Sequence, residues 1–457
     1  MEDGEPAKGE RPNGDGGHRV AGALKPDEGL IRAVGTRGLT AAIVNYTVGA
    51  GIFVLPAVVA ARIGGAAVVA YVVCVGAMAL IVLCFAEAGS RISLSGGSYA
   101  YAGAVFGPYI GFLVAMMLWF GAQVLASATV AVVFVGALKQ LTPAAGDPTV
   151  KAAILIVLYA LVAIINIRGV RIGSGLVQAV TAAKLTPLLI LVVVGVFAVQ
   201  SANFAWPGVP APGEISRTSA MLIFAFLGVE SALTPSGEVK DPARTVPRAV
   251  FSALALVTIL YLAIQLVAQG ILGATLATST AAPLAEAARM SIGRSGELLV
   301  IIGTAISTFG YVAGDMLAAP RGIYALARDN LLPSPIAVVH PVWRTPYVAI
   351  AIHAVLCCAF AMTGTFSSLA VLASLATLLV YLACCLATIE LRRRNIRTGE
   401  GIPFRVPGGP VVPLLASGVV VWLISSATRA EFIAIGWMIL VSTVVYGLML
   451  MMRRVVR

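Results

Sequence analysis

Three ionisable side chains stand deep inside long apolar runs of this chain: Lys184, Glu230 and Asp315. An unpaired charge at mid-bilayer costs from about 2.5 to more than 10 kcal/mol. Such groups persist when they pair, meet water or change protonation state, because burial favours the neutral form. Lys184 follows Ile172 by twelve residues. At 1.5 Å rise per residue it lies about 18 Å into a hydrocarbon core of roughly 30 Å. A lysine at that depth can take up and release one proton per conformational cycle. Its other reading is a static salt bridge to Asp315 or Glu230 that holds helices in register. Asp315 either partners that proton or neutralises a neighbour, and Glu230 either faces a cavity or caps backbone.

A second kind of chemistry comes from interrupted helices. The stretch Val44–Pro56, VNYTVGAGIFVLP, carries Gly49-Ala50-Gly51 where a spanning helix would have larger residues. Each glycine weakens a helix by roughly 1 kcal/mol relative to Ala. In hydrocarbon a freed backbone group costs several kcal/mol unless protein or a solute satisfies it. Close helix packing through small residues is the competing explanation. A second break is expected at Phe224-Ala225-Phe226-Leu227-Gly228-Val229-Glu230-Ser231. The half-helix starting near Thr47, Gly49, Ala50 and Gly51 presents N–H groups and a positive dipole end, which suit a carboxylate. The second break leaves carbonyls at Phe224 and Ala225, next to Leu227 and Gly228, that can accept from an ammonium. Together they fit the zwitterionic backbone of an α-amino acid, with Phe224 and Phe226 able to close over it.

The elements that must hold these residues follow from composition. The chain is 59% hydrophobic and 11% charged over 457 residues, too apolar for a soluble protein of this length. Apolar runs of spanning length recur at approximately 39–62, 65–87, 100–138, 152–168, 173–199, 217–235, 249–272, 298–325, 346–363, 367–390, 411–427 and 432–452. That predicts an all-α membrane protein with 12 transmembrane helices. The third run is too long for one crossing, so a short interfacial or re-entrant piece is expected at Gly96–Tyr101.

The net charge of +11 is orientation information. With the N-terminus inside, 23 of the 31 Lys and Arg residues fall in inner loops and tails and seven in outer loops, Lys184 alone being intramembrane. The positive-inside rule then puts both termini in the cytoplasm, and the charge is no nucleic-acid footprint. All six cysteines lie in apolar runs, as small packing residues. With His18, His340 and His353 the only histidines, a metal site has little support and no cofactor is expected. Residues 1–38 read as a disordered cytoplasmic tail with no signal-peptide pattern.

Matching breaks open two blocks of five helices, 39–199 and 217–393, and 411–452 adds two more. Such correspondence points to a 5+5 inverted repeat with broken helices 1 and 6 and a site at the repeat interface. Five is odd, so the blocks cross in opposite senses. Tyr99 and Tyr101, beside Gly96-Gly97, serve either as pathway residues or as aromatic belt anchors. No filter-like loop suggests a channel, and no G-x-S-x-G, Walker-type or HExxH pattern suggests an enzyme. A transporter-derived sensor remains open.

Gly49-Ala50-Gly51-Ile52-Phe53, Gly96-Gly97-Ser98-Tyr99-Ala100-Tyr101, Phe224–Ser231, the Gly237-Glu238-Val239-Lys240-Asp241-Pro242 loop and Tyr324–Pro333 together resemble the amino acid–polyamine–organocation (APC) superfamily of secondary transporters. The resemblance covers about two-thirds of the chain. It implies a LeuT-type fold, alternating access, and an amino acid or amine substrate held at the two breaks. It also implies an aromatic gate at Phe224, with Tyr99 near the pathway. Lys184, in Ala-Lys-Leu-Thr-Pro, looks like the fifth-helix lysine that some members use for proton coupling. Gly-Val-Glu-Ser is shared with polyamine and arginine antiporters of the family, which often lack the lysine. Asp315 departs from the small polar residue expected there. The expectation is a proton-coupled amino acid symporter of the cytoplasmic membrane, with Lys184, Asp315 and Glu230 in proton coupling. The alternative is an exchanger of cationic amino acids or polyamines. Its partners are substrate, protons and the lipid bilayer; a homo-oligomer is compatible with the sequence.

Overall fold

The computed structural model describes residues 34–92, 94, 96–168, 170–205, 208–233, 239–398 and 402–455. Among them there is no strand, only one isolated bridge between Val34 and Val239. The expected tail therefore falls outside the description except at its end, where Thr36 already starts the first helix. Residues 237–238 of the charged inner loop also lie outside it.

The first apolar run is two helices, α1 (Thr36–Thr47) and α2 (Gly51–Ile63). A tight turn then leads to α3 (Ala67–Arg91). The third run divides later than expected. A short helix α4 (Ser98–Phe106) ends at Gly107, not Tyr101, and Pro108 starts α5 (Pro108–Met116). Proline has no N–H to lose at a first helical position, so this junction is a natural start. A π-helical segment, Met117–Val124, joins α5 to α6 (Leu125–Leu141).

Next come α7 (Pro148–Arg168) and α8 (Val170–Gly195), with Pro187 inside α8 opposite Gly303. The sixth run is again divided, into α9 (Pro212–Phe226) and α10 (Val229–Ala232). The remaining helices are α11 (Pro242–Leu272), α12 (Pro283–Ile292), α13 (Arg294–Arg328), α14 (Tyr347–Thr363), α15 (Phe366–Arg393), α16 (Val411–Ser425) and α17 (Arg429–Val455). The apolar runs gave no sign of α12, which is short and amphipathic with Leu284, Ala285, Ala287 and Ala288 buried.

Seven of the described helical stretches are long and apolar enough to cross a membrane, and three apolar helices are shorter. Large apolar side chains such as Val193, Phe197, Ile259 and Trp437 remain exposed, as expected of surface that faces lipid and not water. The protein is thus an all-helical integral membrane protein.

Alanines are frequent in the interior beside large side chains such as Tyr71, Phe85 and Tyr381, and small residues let helix backbones approach where lipid provides no hydrophobic drive between helices. α13 packs on α8 and α6, and α11 on α1 and α3. At one end, fully buried Glu87 ties α3 to α15. Its carboxylate accepts from Arg91, from Arg392 Nε at 2.9 Å and Nη2, and from the Val406 N–H at 2.8 Å.

Candidate functional site

α1 stops at Thr47 and α2 starts at Gly51, so Val48, Gly49 and Ala50 carry the chain between them. Within the gap Gly49 N–H donates to Thr47 O at 2.8 Å, and Ala50 O accepts from Phe53 N–H at 3.1 Å. The first-turn N–H groups of α2 have no acceptor within their own helix. The second gap is Leu227–Gly228. Gly228 has φ 138°, a conformation that only glycine adopts readily. It also lies so close to α1 that an added Cβ would stand 2.8 Å from Thr47 N and 2.9 Å from Thr47 Oγ1. Gly51 faces the other side of the same junction, where a Cβ would meet Ala225 Cα at 3.0 Å. The two gaps are therefore in contact.

Tyr261 of α11 joins them directly. Its hydroxyl lies 2.9 Å from Thr47 O and 2.9 Å from Ala225 O, and its one proton serves both carbonyls. Ala225 O is thus already engaged by a phenol. Thr47 Oγ1 donates to Ile43 O at 2.8 Å, back into its own helix.

Against this junction is a narrow cavity of about 10 Å³, room for about one water molecule. Tyr46, Thr47, Gly49, Ala50 and Gly51 line it from the first gap, and Phe224 and Leu227 from the second. Ala126 and Val130 of α6 and Tyr311 of α13 complete it, so among the described residues no charged side chain lines it. Phe224 stands edge-on to Phe366, ring centroids 5.8 Å apart. Ala225 and Gly228 lie beneath the cavity wall, holding the two gaps together. Tyr99 does not line the cavity. It packs at the α4–α5 corner, where a Cβ on Gly111 would come within 3.3 Å of its ring.

The three deep ionisable groups do not pair with one another. Lys184, 1% exposed, donates to Asn45 O at 2.5 Å and Val48 O at 2.9 Å, both main-chain carbonyls at the end of α1. The expected partnership of Lys184 with Asp315 or Glu230 is not formed among the described residues. The reason is the break itself, since an ended helix offers carbonyls without intrahelical donors and an ammonium satisfies them. Glu230 accepts from Gly228 N–H at 3.0 Å and from Tyr381 Oη–H at 2.7 Å, so it caps the second gap.

Asp315 pairs instead with His353, Oδ2 to Nε2 at 2.8 Å. Trp119 Nε1 donates to His353 Nδ1 at 3.2 Å, and Cys357 Sγ is 3.4 Å from Nε2. Asp315, His353 and Cys357 are the one group among the described residues with metal-type donor atoms gathered within 4.8 Å. The 2.8 Å separation is that of a hydrogen bond, shorter than the roughly 3.3 Å between two ligands on a tetrahedral zinc. The arrangement is a hydrogen-bonded cluster. Sequence reasoning missed His353, Trp119, Tyr261, Tyr311 and Tyr381. The available signal was a histidine and a cysteine four residues apart, on one face of an apolar helix.

The chain is similar over most of its length to known transporters and permeases. The chain is 29% identical over 443 residues to a methylthioribose transporter of Bacillus subtilis (strain 168), covering 93% of this chain and 95% of that protein. It is 26% identical over 425 residues to the serine/threonine exchanger SteT of the same organism, covering 91% and 95%. A branched-chain amino acid permease, BcaP, of Lactococcus lactis subsp. cremoris (strain MG1363) is 28% identical over 426 residues, covering 85% and 88%. Residues 34–450 match the amino acid permease family over nearly the whole described chain. The chain belongs to the amino acid permease family, within the APC superfamily.

Proposed function

We propose that this protein is a secondary active transporter of neutral L-amino acids that works by alternating access and couples uptake to protons. It crosses the cytoplasmic membrane twelve times with both termini inside. Residues 39–199 and 217–393 form two inverted five-helix repeats of LeuT type, and 411–452 adds two helices. The substrate carboxylate meets the start of α2 at Gly49, Ala50 and Gly51. Its ammonium meets the end of α9 near Phe224, Ala225 and Leu227, and Phe224 closes over it.

The observation that carries the coupling is the position of Lys184. Its ammonium fills the space between Asn45 O and Val48 O, immediately beside the cavity-lining gap. Loss of its proton removes the positive charge that gathers those carbonyls, so the protonation of Lys184 and the shape of the first gap depend on each other. A neutral substrate is supported by the uncharged cavity lining and by the engagement of both Glu230 oxygens with Gly228 and Tyr381. The serine/threonine and branched-chain relatives carry names of neutral amino acids. Exchange is the second reading, favoured by the similarity to a protein named an exchanger.

Purified protein in proteoliposomes, given radiolabelled L-leucine, L-threonine, L-arginine or putrescine, separates these readings. Uptake of leucine or threonine driven by an inward proton gradient into empty vesicles, with the response to pH lost in Lys184→Ala, is the expected result. Uptake that needs internal substrate and ignores the gradient would favour exchange. A fully pH-responsive Lys184→Ala would remove the lysine from the mechanism.

A further inference from the structure

The hydrogen bonds around His353 fix how many protons it holds. An indole nitrogen can only donate, so Trp119 Nε1, 3.2 Å from His353 Nδ1, requires Nδ1 to be bare. A neutral imidazole carries its one proton on the other nitrogen. Nε2 therefore donates to Asp315 Oδ2 at 2.8 Å. A second proton on Nδ1 would put N–H against N–H at a fully buried ring. Each buried donor left unpaired costs about 1–3 kcal/mol. With the indole in place, His353 stays neutral.

Trp119 belongs to the π segment Met117–Val124. π turns within α-helices are rare and frequently occur at functional sites. The same segment sends Gln123 the other way, its side-chain amide donating to Ser231 Oγ of α10 at 3.4 Å. One short stretch thus touches the His–Asp pair with one residue and the inner part of the interrupted sixth helix with another.

We propose that His353 and Asp315 form a proton-binding site distinct from Lys184, and that Trp119 is the positioning residue that opens and closes it. When the π segment shifts and the indole withdraws, the Nδ1 lone pair takes a proton from water and forms an N–H bond. The resulting imidazolium faces the Asp315 carboxylate, which offsets the added positive charge. When the indole returns, that proton goes back to water and no other bond changes. Movement of α10 reaches the indole through Ser231 and Gln123, which ties proton occupancy to the state of the broken helix.

Other ionisable groups face the pair from each neighbouring element. Cys357 and Cys358 lie on α14, Tyr311 on α13, Tyr159 on α7 and Tyr46 on α1, with Glu230 beyond Tyr311 and Arg321 beyond Tyr46. The nearest are phenols and thiols, which leaves His353 as the cluster's best proton acceptor.

The use of this site in transport rests on the transporter reading above; its proton count does not. Ring-15N histidine labelling of the full chain in lipid vesicles reads that count directly. The chain has three histidines, and comparison with His353→Gln assigns the signal. The expected wild-type signal is a neutral Nε2–H imidazole at about pH 7, persisting to about pH 5, below the range where an ordinary histidine titrates. Trp119→Phe keeps a ring but lacks the donor, and is expected to show imidazolium within that interval. An Nδ1–H tautomer or an imidazolium in the wild type at about pH 7 would overturn the proposal. So would a folded Trp119→Phe protein whose His353 signal matches wild type at every pH. If Trp119→Phe does not fold, the wild-type tautomer decides alone. Absence of amino acid uptake in vesicles with the expected spectrum would count against the transporter reading and leave the proton site intact.

Discussion

Replacing Gly228 by alanine tests whether contact between the two helix gaps holds the site. Gly228 has φ 138°, a region in which a residue with a Cβ is strained by about 1–3 kcal/mol. The new Cβ would also sit 2.8 Å from Thr47 N and 2.9 Å from the Tyr46 carbonyl carbon. Both are main-chain atoms that cannot rotate away, so α1 must retreat by several tenths of an ångström. Overpacking of that kind costs about another 1–3 kcal/mol. Reduced freedom of the unfolded chain returns about 0.4–1 kcal/mol. The net loss is about 1–5.6 kcal/mol, a roughly five-fold to ten-thousand-fold change in an equilibrium constant. Gly322→Ala is the control, because it lies in α13 with nothing within 4 Å of its Cβ. Thermal unfolding of the purified proteins, with leucine and threonine uptake in vesicles, should show Gly228→Ala with a lowered midpoint and little uptake, and Gly322→Ala unchanged or slightly stabilised. A Gly228→Ala protein that melts and transports like Gly322→Ala would refute the idea that the gaps depend on contact at this glycine.

Tyr261→Phe removes only the hydroxyl shared by Thr47 O and Ala225 O. It should cost about 1–3 kcal/mol for the buried carbonyl left without its donor, read as a lower unfolding midpoint, and an unchanged midpoint would show that water replaces the phenol. Glu230→Gln keeps one oxygen for Gly228 N–H and turns an amide toward Tyr381. It should retain neutral amino acid uptake within a few-fold, whereas Glu230→Ala should lose most of it. If both variants gained arginine or putrescine uptake, the capping role assigned to Glu230 would be wrong.

Some of this was legible in the sequence because backbone weakness is a local property. Gly49-Ala50-Gly51 and Leu227-Gly228 mark where an apolar helix lacks the side chains to continue, and both gaps fall there. The partners of the buried charges were not legible. Charges read along a sequence invite pairing with other charges, but Lys184 found main-chain carbonyls that exist only because α1 ends. Asp315 found His353, a residue overlooked because its one sequence signal, Cys357 four residues on, does not point to a carboxylate on another helix. Tyr261 and Trp119 look like ordinary aromatic packing until the helices are assembled around them. The division of the third run at Gly107 was anticipated in kind but set several residues too early, since tyrosines at a boundary belong equally well to a short helix.

The knot around Glu87 restricts how the protein can move. Two guanidinium groups and the Val406 amide converge on one carboxylate that has no access to solvent. Prising α3 from α15 would take Arg392 and the Val406 amide from that anion and leave it only Arg91 of its own helix, and breaking a buried pair costs about 3–5 kcal/mol. These two helices, joined through Glu87 and Val406, are therefore expected to move together. The alternating access proposed above would have to pivot elsewhere, and the unwound joints at Val48–Ala50 and Leu227–Gly228 are the cheap places to bend.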